Sequence, residues 1–175
     1  IDESFRHAIS KMSHLHFTAT QNYKKRVIQM GESPQNVFNV GGLGVDSIKK
    51  TPLYSKSVLE KKLNIKFLKK FILVTYHPET LKKNSSELNV KHLLKALNFM
   101  KDTTVIFTMP NSDIESLIIY RLIKKIVSKK KNYYLFKSLG QKKYYSCCRY
   151  SDFMIGNSSS GLLEMPSFKK FSINI

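Results

Sequence analysis

Short, mostly apolar runs without alternation punctuate this chain: residues 71–76 read Phe-Ile-Leu-Val-Thr-Tyr and residues 104–109 read Thr-Val-Ile-Phe-Thr-Met. A strand with one face in water alternates apolar and polar residues, whereas a strand covered on both faces is apolar throughout. Between the runs, apolar residues recur at helical spacing. Covered strands that alternate with helices build a parallel sheet with helices on both faces, so the fold class read from the sequence is α/β.

The pattern predicts helices over 3–13, 21–30, 57–63, 86–100, 113–128, 141–149 and 159–164. It predicts strands over 15–19, 37–40, 71–76, 104–109, 133–136, 153–155 and 171–175. Local chemistry marks several ends. Asp2 and Glu3 suit the first turn of a helix, Thr20 is an N-cap, and Gly31 stops the helix that Thr20 starts. Gly41-Gly42-Leu43-Gly44 reads as a turn after the strand over 37–40.

Composition narrows the classes further. Thirty Lys plus Arg against twelve Asp plus Glu leave a formal net charge of +18, yet 42% of the 175 residues are hydrophobic. That apolar share supports a packed core of about one domain and excludes a disordered polybasic chain. The lysine pairs at 49–50, 61–62, 69–70 and 82–83 are scattered over loops and helix ends, and no tyrosine-bearing RNA motif accompanies them. Nucleic acid is therefore the weaker reading of the charge. Cys147 and Cys148 are adjacent, which fits neither an ordinary disulfide nor a zinc site, and a reducing, cytoplasmic setting is the expectation. No apolar run approaches the ~18 residues of a membrane span, and Ile1-Asp2-Glu3 does not open a signal peptide, so a soluble protein is expected. Ile1 is no initiator and the chain stops inside an apolar run, which suggests a fragment.

In open parallel sheets, ligands bind beyond the carboxyl ends of the strands. Those positions hold His77-Pro78, Pro110-Asn111, the glycine turn, and Gly156-Asn157-Ser158-Ser159-Ser160-Gly161. The serine run offers hydroxyls and unpaired N–H groups at a helix start, which suits a phosphate and equally suits a plain N-cap. Glu164 can accept hydrogen bonds from a ribose diol or simply complement the helix dipole. His77 can contact a diphosphate or move a proton. No Gly-Lys-Ser/Thr follows the serines, and the glycines lack dinucleotide spacing, so ATPase and dehydrogenase readings are weak. His14 and His16 read as structural, without a third metal ligand.

Taken together, five stretches resemble the UDP-N-acetylglucosamine 2-epimerases, above all the hydrolysing branch that serves sialic-acid-type sugars. They are Ile1 through Ile9 (Ile-Asp-Glu-Ser-Phe-Arg-His-Ala-Ile), Lys11 through Phe17 (Lys-Met-Ser-His-Leu-His-Phe), Val40 through Asp46 (Val-Gly-Gly-Leu-Gly-Val-Asp), Val74 through Pro78 (Val-Thr-Tyr-His-Pro) and Gly156 through Glu164 (Gly-Asn-Ser-Ser-Ser-Gly-Leu-Leu-Glu). The resemblance implies a Rossmann-like C-terminal half of a two-domain GT-B-type enzyme, with residues 1–35 closing the first domain and 36–175 forming the nucleotide-binding domain. It implies that His77 contacts the diphosphate, that Ser158 and Ser159 bind phosphate, and that Glu164 holds the ribose. Asn111, the backbone at Leu139, and Gly41 or Gly42 would line the uridine pocket. Asp2 and His77 would be catalytic.

The implied reaction removes the C2 proton of a UDP-linked 2-acetamido sugar, expels UDP, and adds water to the resulting glycal. It implies no cofactor and no metal, a UDP-sugar substrate, no nucleic-acid or membrane partner, and a homodimer of the full-length protein. The fragment alone is expected to be inactive. A GT-B glycosyltransferase using a UDP-sugar is the alternative within the same fold class.

Overall fold

A computed structural model of the chain describes residues 2–78, 85–109 and 114–175. Asn111 lies outside them, and Asp2 is described only as the first residue of its helix. Contacts divide the chain into two compact units, Ile1–Lys50 and Thr51–Ile175.

The first unit begins with α1 (Asp2–Met12), β1 (His16–Thr18) and α2 (Gln21–Gln29) and continues with β2 (Val37–Asn39) and α3 (Leu43–Lys50). The Thr20 hydroxyl accepts the Tyr23 N–H at 3.2 Å, so the capping residue read from the sequence starts α2. β1 and β2 pair in parallel, with His16 opposite Val37. That pairing keeps the strand at 37–39 in the first unit, whereas the sequence reading groups it with the second. The expected glycine turn is also shorter than the motif: Gly41 turns the chain at φ 82°, but Leu43 already begins α3 and Gly44 lies inside it. Asp46 in the first turn and Lys49-Lys50 in the last complement the dipole of this helix, and Ile48 anchors it by burial.

The second unit runs α4 (Lys56–Leu63), β3 (Lys70–Thr75), α5 (Ser85–Leu97), β4 (Thr103–Thr108), α6 (Ile114–Val127), β5 (Tyr133–Phe136), α7 (Gly140–Tyr150), β6 (Phe153–Gly156), α8 (Ser160–Leu163) and β7 (Phe171–Asn174). Its five strands form one sheet in the order β5-β4-β3-β6-β7, with every neighbouring pair parallel. The uninterrupted apolar runs have a direct cause. Ile72 and Val74 face a core shared with Val90, Leu97, Ile119 and Ile123, while Phe71 and Leu73 face a second core with Leu59, Leu63, Cys147 and Met165. Each such side chain contributes about 1.5–3 kcal/mol by leaving water, so both faces of β3 are apolar over residues 71–74. Cys147 and Cys148 are free thiols inside the second core. No described helix is long and apolar enough to cross a membrane.

Strand order positions the site. From β3 the chain steps outward through β4 to β5, then returns to the opposite side of β3 as β6 and continues to β7. The direction of winding therefore reverses between β3 and β6, and the loops that leave these two strands diverge into a crevice.

Candidate functional site

At the crevice, β3 and β6 approach as closely as a glycine permits. Gly156 lies opposite Thr75 with φ 146°, and a Cβ built on it would fall 1.7 Å from the Thr75 carbonyl oxygen. The next residue secures the neighbouring loop. Asn157 Oδ1 accepts the His77 N–H at 2.7 Å, and Asn157 Nδ2 donates to the His77 carbonyl at 2.8 Å. One amide side chain thus satisfies both main-chain groups of His77, fixing the path of the chain as it leaves β3.

The serines follow. The Ser158 carbonyl accepts from Gly161 N–H at 3.0 Å, and the Ser159 carbonyl accepts from the N–H groups of Leu162 and Leu163, both at 2.9 Å. Ser158 Oγ accepts the Ser160 N–H at 3.3 Å. α8 is only one turn long, so the turn presents local N–H and hydroxyl groups rather than a long helix dipole. Glu164 sits just past this turn rather than within it, where Pro166 opens a 3-10 turn over Met165–Phe168.

These elements line an open groove of about 480 Å³. Thr75 and Thr108 form its floor, with their hydroxyls 2.5 Å apart; Leu139 and Gly140 at the start of α7 form one wall; Ser158, Ser159 and Glu164 form another. Leu139, Ser158, Ser159 and Glu164 are thereby brought together in one groove. His77 is half-buried and latched by its main chain to Asn157, but it is not among the groove-lining residues. Gly41, Gly42 and Asp2 belong to the first unit.

Glu164 is the odd member electrostatically. Its Oε2 is buried and accepts no hydrogen bond from any described residue. An unsatisfied buried acceptor costs about 1–3 kcal/mol, more for a charged group, and such atoms mark strain or a role with a ligand. Tyr144, on α7, lies close by, and its hydroxyl is hydrogen-bonded to Ser160 Oγ. Burial, reinforced by Cys148 and Glu164, pushes this phenol well above its ordinary range, so it remains a neutral hydrogen-bonding group. Burial likewise pushes the Cys148 thiol up to about 12. Sequence reasoning missed Thr75, Thr108 and Tyr144, and took Ser160 only as part of the serine run. The signal for the threonines was available: each directly follows an uninterrupted apolar run, at 71–74 and 105–107. Among the described residues, no group of three or more His, Cys, Asp or Glu is placed to hold a metal ion.

The profile described as UDP-N-acetylglucosamine 2-epimerase matches residues 1–175, the whole chain. The chain belongs to this family. A hydrolysing GDP/UDP-N,N'-diacetylbacillosamine 2-epimerase of Campylobacter jejuni is 44% identical over 176 residues, covering 100% of this chain and 46% of that protein. Polysialic acid biosynthesis protein P7 of Escherichia coli is 45% identical over 175 residues, covering 99% of this chain and 44% of the relative. The chain therefore spans less than half the length of these curated relatives. The fold agrees with solved members. The co-structure of S. aureus MnaA with UDP matches with a TM-score of 0.71 at 20% identity, covering 94% of this chain and 43% of that one. UDP-GlcNAc 2-epimerase from Neisseria meningitidis, bound to UDP-GlcNAc, matches with a TM-score of 0.64 at 18% identity, covering 93% of this chain and 44% of that one. The α/β class and the Rossmann-like parallel sheet are those of this 2-epimerase family.

Proposed function

We propose that this chain is the nucleotide-binding, C-terminal half of a hydrolysing 2-epimerase that converts a UDP-linked 2-acetamido sugar into UDP and the free C2-epimer. The observation that carries the proposal is the buried, unpartnered Glu164 carboxylate oxygen in a groove shared with the serine turn. A ribose diol supplies the donors this carboxylate lacks. The N–H and hydroxyl groups at Ser158 and Ser159 then face the diphosphate, and the Leu139–Gly140 corner receives the base.

In this reading the C2 hydrogen leaves as a proton to a carboxylate base while the C1–O bond to UDP breaks, giving a glycal. Water adds at C1, and a proton returns to the opposite face of C2. Negative charge grows on the departing diphosphate, so donors already fixed in place lower the barrier to that step. Asn157 contributes by holding the His77 main chain next to those donors. His77 contacts the diphosphate or relays a proton, and Asp2 takes an acid-base role. The 44% identity to a protein named for a GDP- or UDP-linked diacetylated sugar, with 33% identity to one named for the UDP-linked form, supports a 2-acetamido substrate carrying a UDP leaving group. The intact protein is read as a cytoplasmic homodimer with no nucleic-acid or membrane partner, and light scattering checks the dimer.

The test uses the intact protein. UDP should raise its melting point by mass action, about 2.7 kcal/mol of stabilisation at a hundredfold excess over Kd. Glu164→Gln should blunt that rise. UDP must also be released from substrate without any acceptor, together with a free 2-acetamido sugar. Turnover only after an acceptor sugar is added, or an undiminished UDP shift in Glu164→Gln, would overturn the proposal.

A further inference from the structure

The groove has two walls on different helices, and one side-chain pair ties them together. Leu139 and Gly140 start α7, and Ser158 and Ser159 lead into α8. Tyr144 lies on α7 just beyond its first turn, and its hydroxyl is hydrogen-bonded to Ser160, the first residue of α8. Ser160 is held from the other side as well, because its N–H donates to Ser158 Oγ at 3.3 Å. A chain of polar contacts therefore runs from α7 through Ser160 to the serine turn itself. Tyr144 and Ser160 also line the groove together with Glu164, and the Glu164 carboxylate acts electrostatically on the phenol.

We propose that Tyr144 is a positioning residue of this groove: its phenol clamps the start of α8 to α7 and so fixes the distance between the wall at Leu139–Gly140 and the turn at Ser158–Ser159. The inference rests on the nucleotide reading above. A nucleoside diphosphate reaches both walls at once, whereas a nucleoside or a free diphosphate reaches only one. The clamp therefore favours the linked ligand over its separate halves, as any device does that removes the freedom of two subsites to drift apart. Burial keeps the phenol neutral and protonated, so the clamp holds across the whole physiological pH range.

The experiment is calorimetric titration of the intact protein with UDP, uridine and inorganic diphosphate. Tyr144→Phe keeps the ring in its place and removes only the hydroxyl. It should weaken UDP roughly three- to tenfold, the worth of one hydrogen bond, while uridine and diphosphate each change by less than about twofold. Ser160→Ala should reproduce that pattern, and it stands in for Tyr144→Phe should the latter fail to fold. The double variant should be no worse than either single one, since both remove the same link. Unchanged UDP affinity in a folded Tyr144→Phe protein overturns the inference, as does equal weakening of all three ligands, which is the mark of general loosening. UDP binding that responds to Glu164→Gln but not to Tyr144→Phe overturns this inference alone. A native protein that binds none of the three ligands overturns both readings.

Discussion

Replacing Gly156 with alanine isolates the contact that closes the crevice. The added methyl would stand 1.7 Å from the Thr75 carbonyl oxygen and 2.7 Å from its carbon, against 3.4 Å for the shortest ordinary contact, so the gap to the oxygen must double. Neither atom belongs to a flexible side chain. The oxygen is part of β3, which is hydrogen-bonded on its other side to β4 and packed between two cores. Alanine must also adopt a φ of 146°, which adds about 1–3 kcal/mol of backbone strain. Forcing the packed strands apart adds a further 1–3 kcal/mol or so. The expected loss is about 2–6 kcal/mol, a large part of the 5–15 kcal/mol or so that holds an ordinary domain. Urea denaturation followed by circular dichroism measures it as a lowered midpoint at unchanged slope. Gly44→Ala is the matched control, because a Cβ there meets nothing within 4 Å and the residue is helical; it should be neutral or slightly stabilising. A Gly156→Ala protein within about 1 kcal/mol of native would refute the close-approach argument.

Two further predictions follow from titratable groups. Glu32 accepts from Lys11 Nζ at 2.6 Å and lies 3.2 Å from His16 Nε2, and the Lys11 hydrogen bond is the main cause holding its carboxyl below the ordinary 4.5. A depressed carboxylate stabilises the fold above the unfolded value and loses that contribution as pH falls through the folded one, so the acid limb of a stability profile below about pH 4.5 should flatten in Glu32→Gln; parallel acid limbs would contradict it. Cys147 and Cys148 are buried, and Cys148 titrates only at about 12, so an aromatic disulfide reagent at about pH 8 should find both thiols silent until denaturant is added. Rapid labelling of the folded protein would show that this core is open.

Most of the sheet was legible because its signal is local. Residues 71–74 of β3 and 105–107 of β4 are apolar whichever face they present, and that pattern survives without knowledge of their neighbours. Thr20 announced α2 for a similar reason, since its capping bond reaches only to Tyr23. Gly44 misled because a glycine in a helix looks the same in sequence as a glycine in a turn; Ile48 burial, a tertiary effect, decided for the helix. The pairing of β2 with β1 was equally invisible, because nothing in Val37–Asn39 states which strand it will meet. At the site, the serine turn and Glu164 stood out by composition. Tyr144 did not, because its meaning depends on Ser160, which reaches it only after β6 has been laid beside β3.

That last strand order sets a timetable for the chain during synthesis. β3 takes β4 on one side early, but its other side waits for β6, and the bond from Phe71 N–H to Asp152 Oδ2 spans 81 residues. At about 5–20 residues per second, a ribosome needs roughly 4–16 s to deliver that partner. Throughout this interval a largely apolar strand carries a bare flank of N–H and C=O groups, an invitation to stray pairing with other nascent chains. Output in a host cell should therefore depend on how well its chaperones shelter this flank, more than on the finished molecule's own stability.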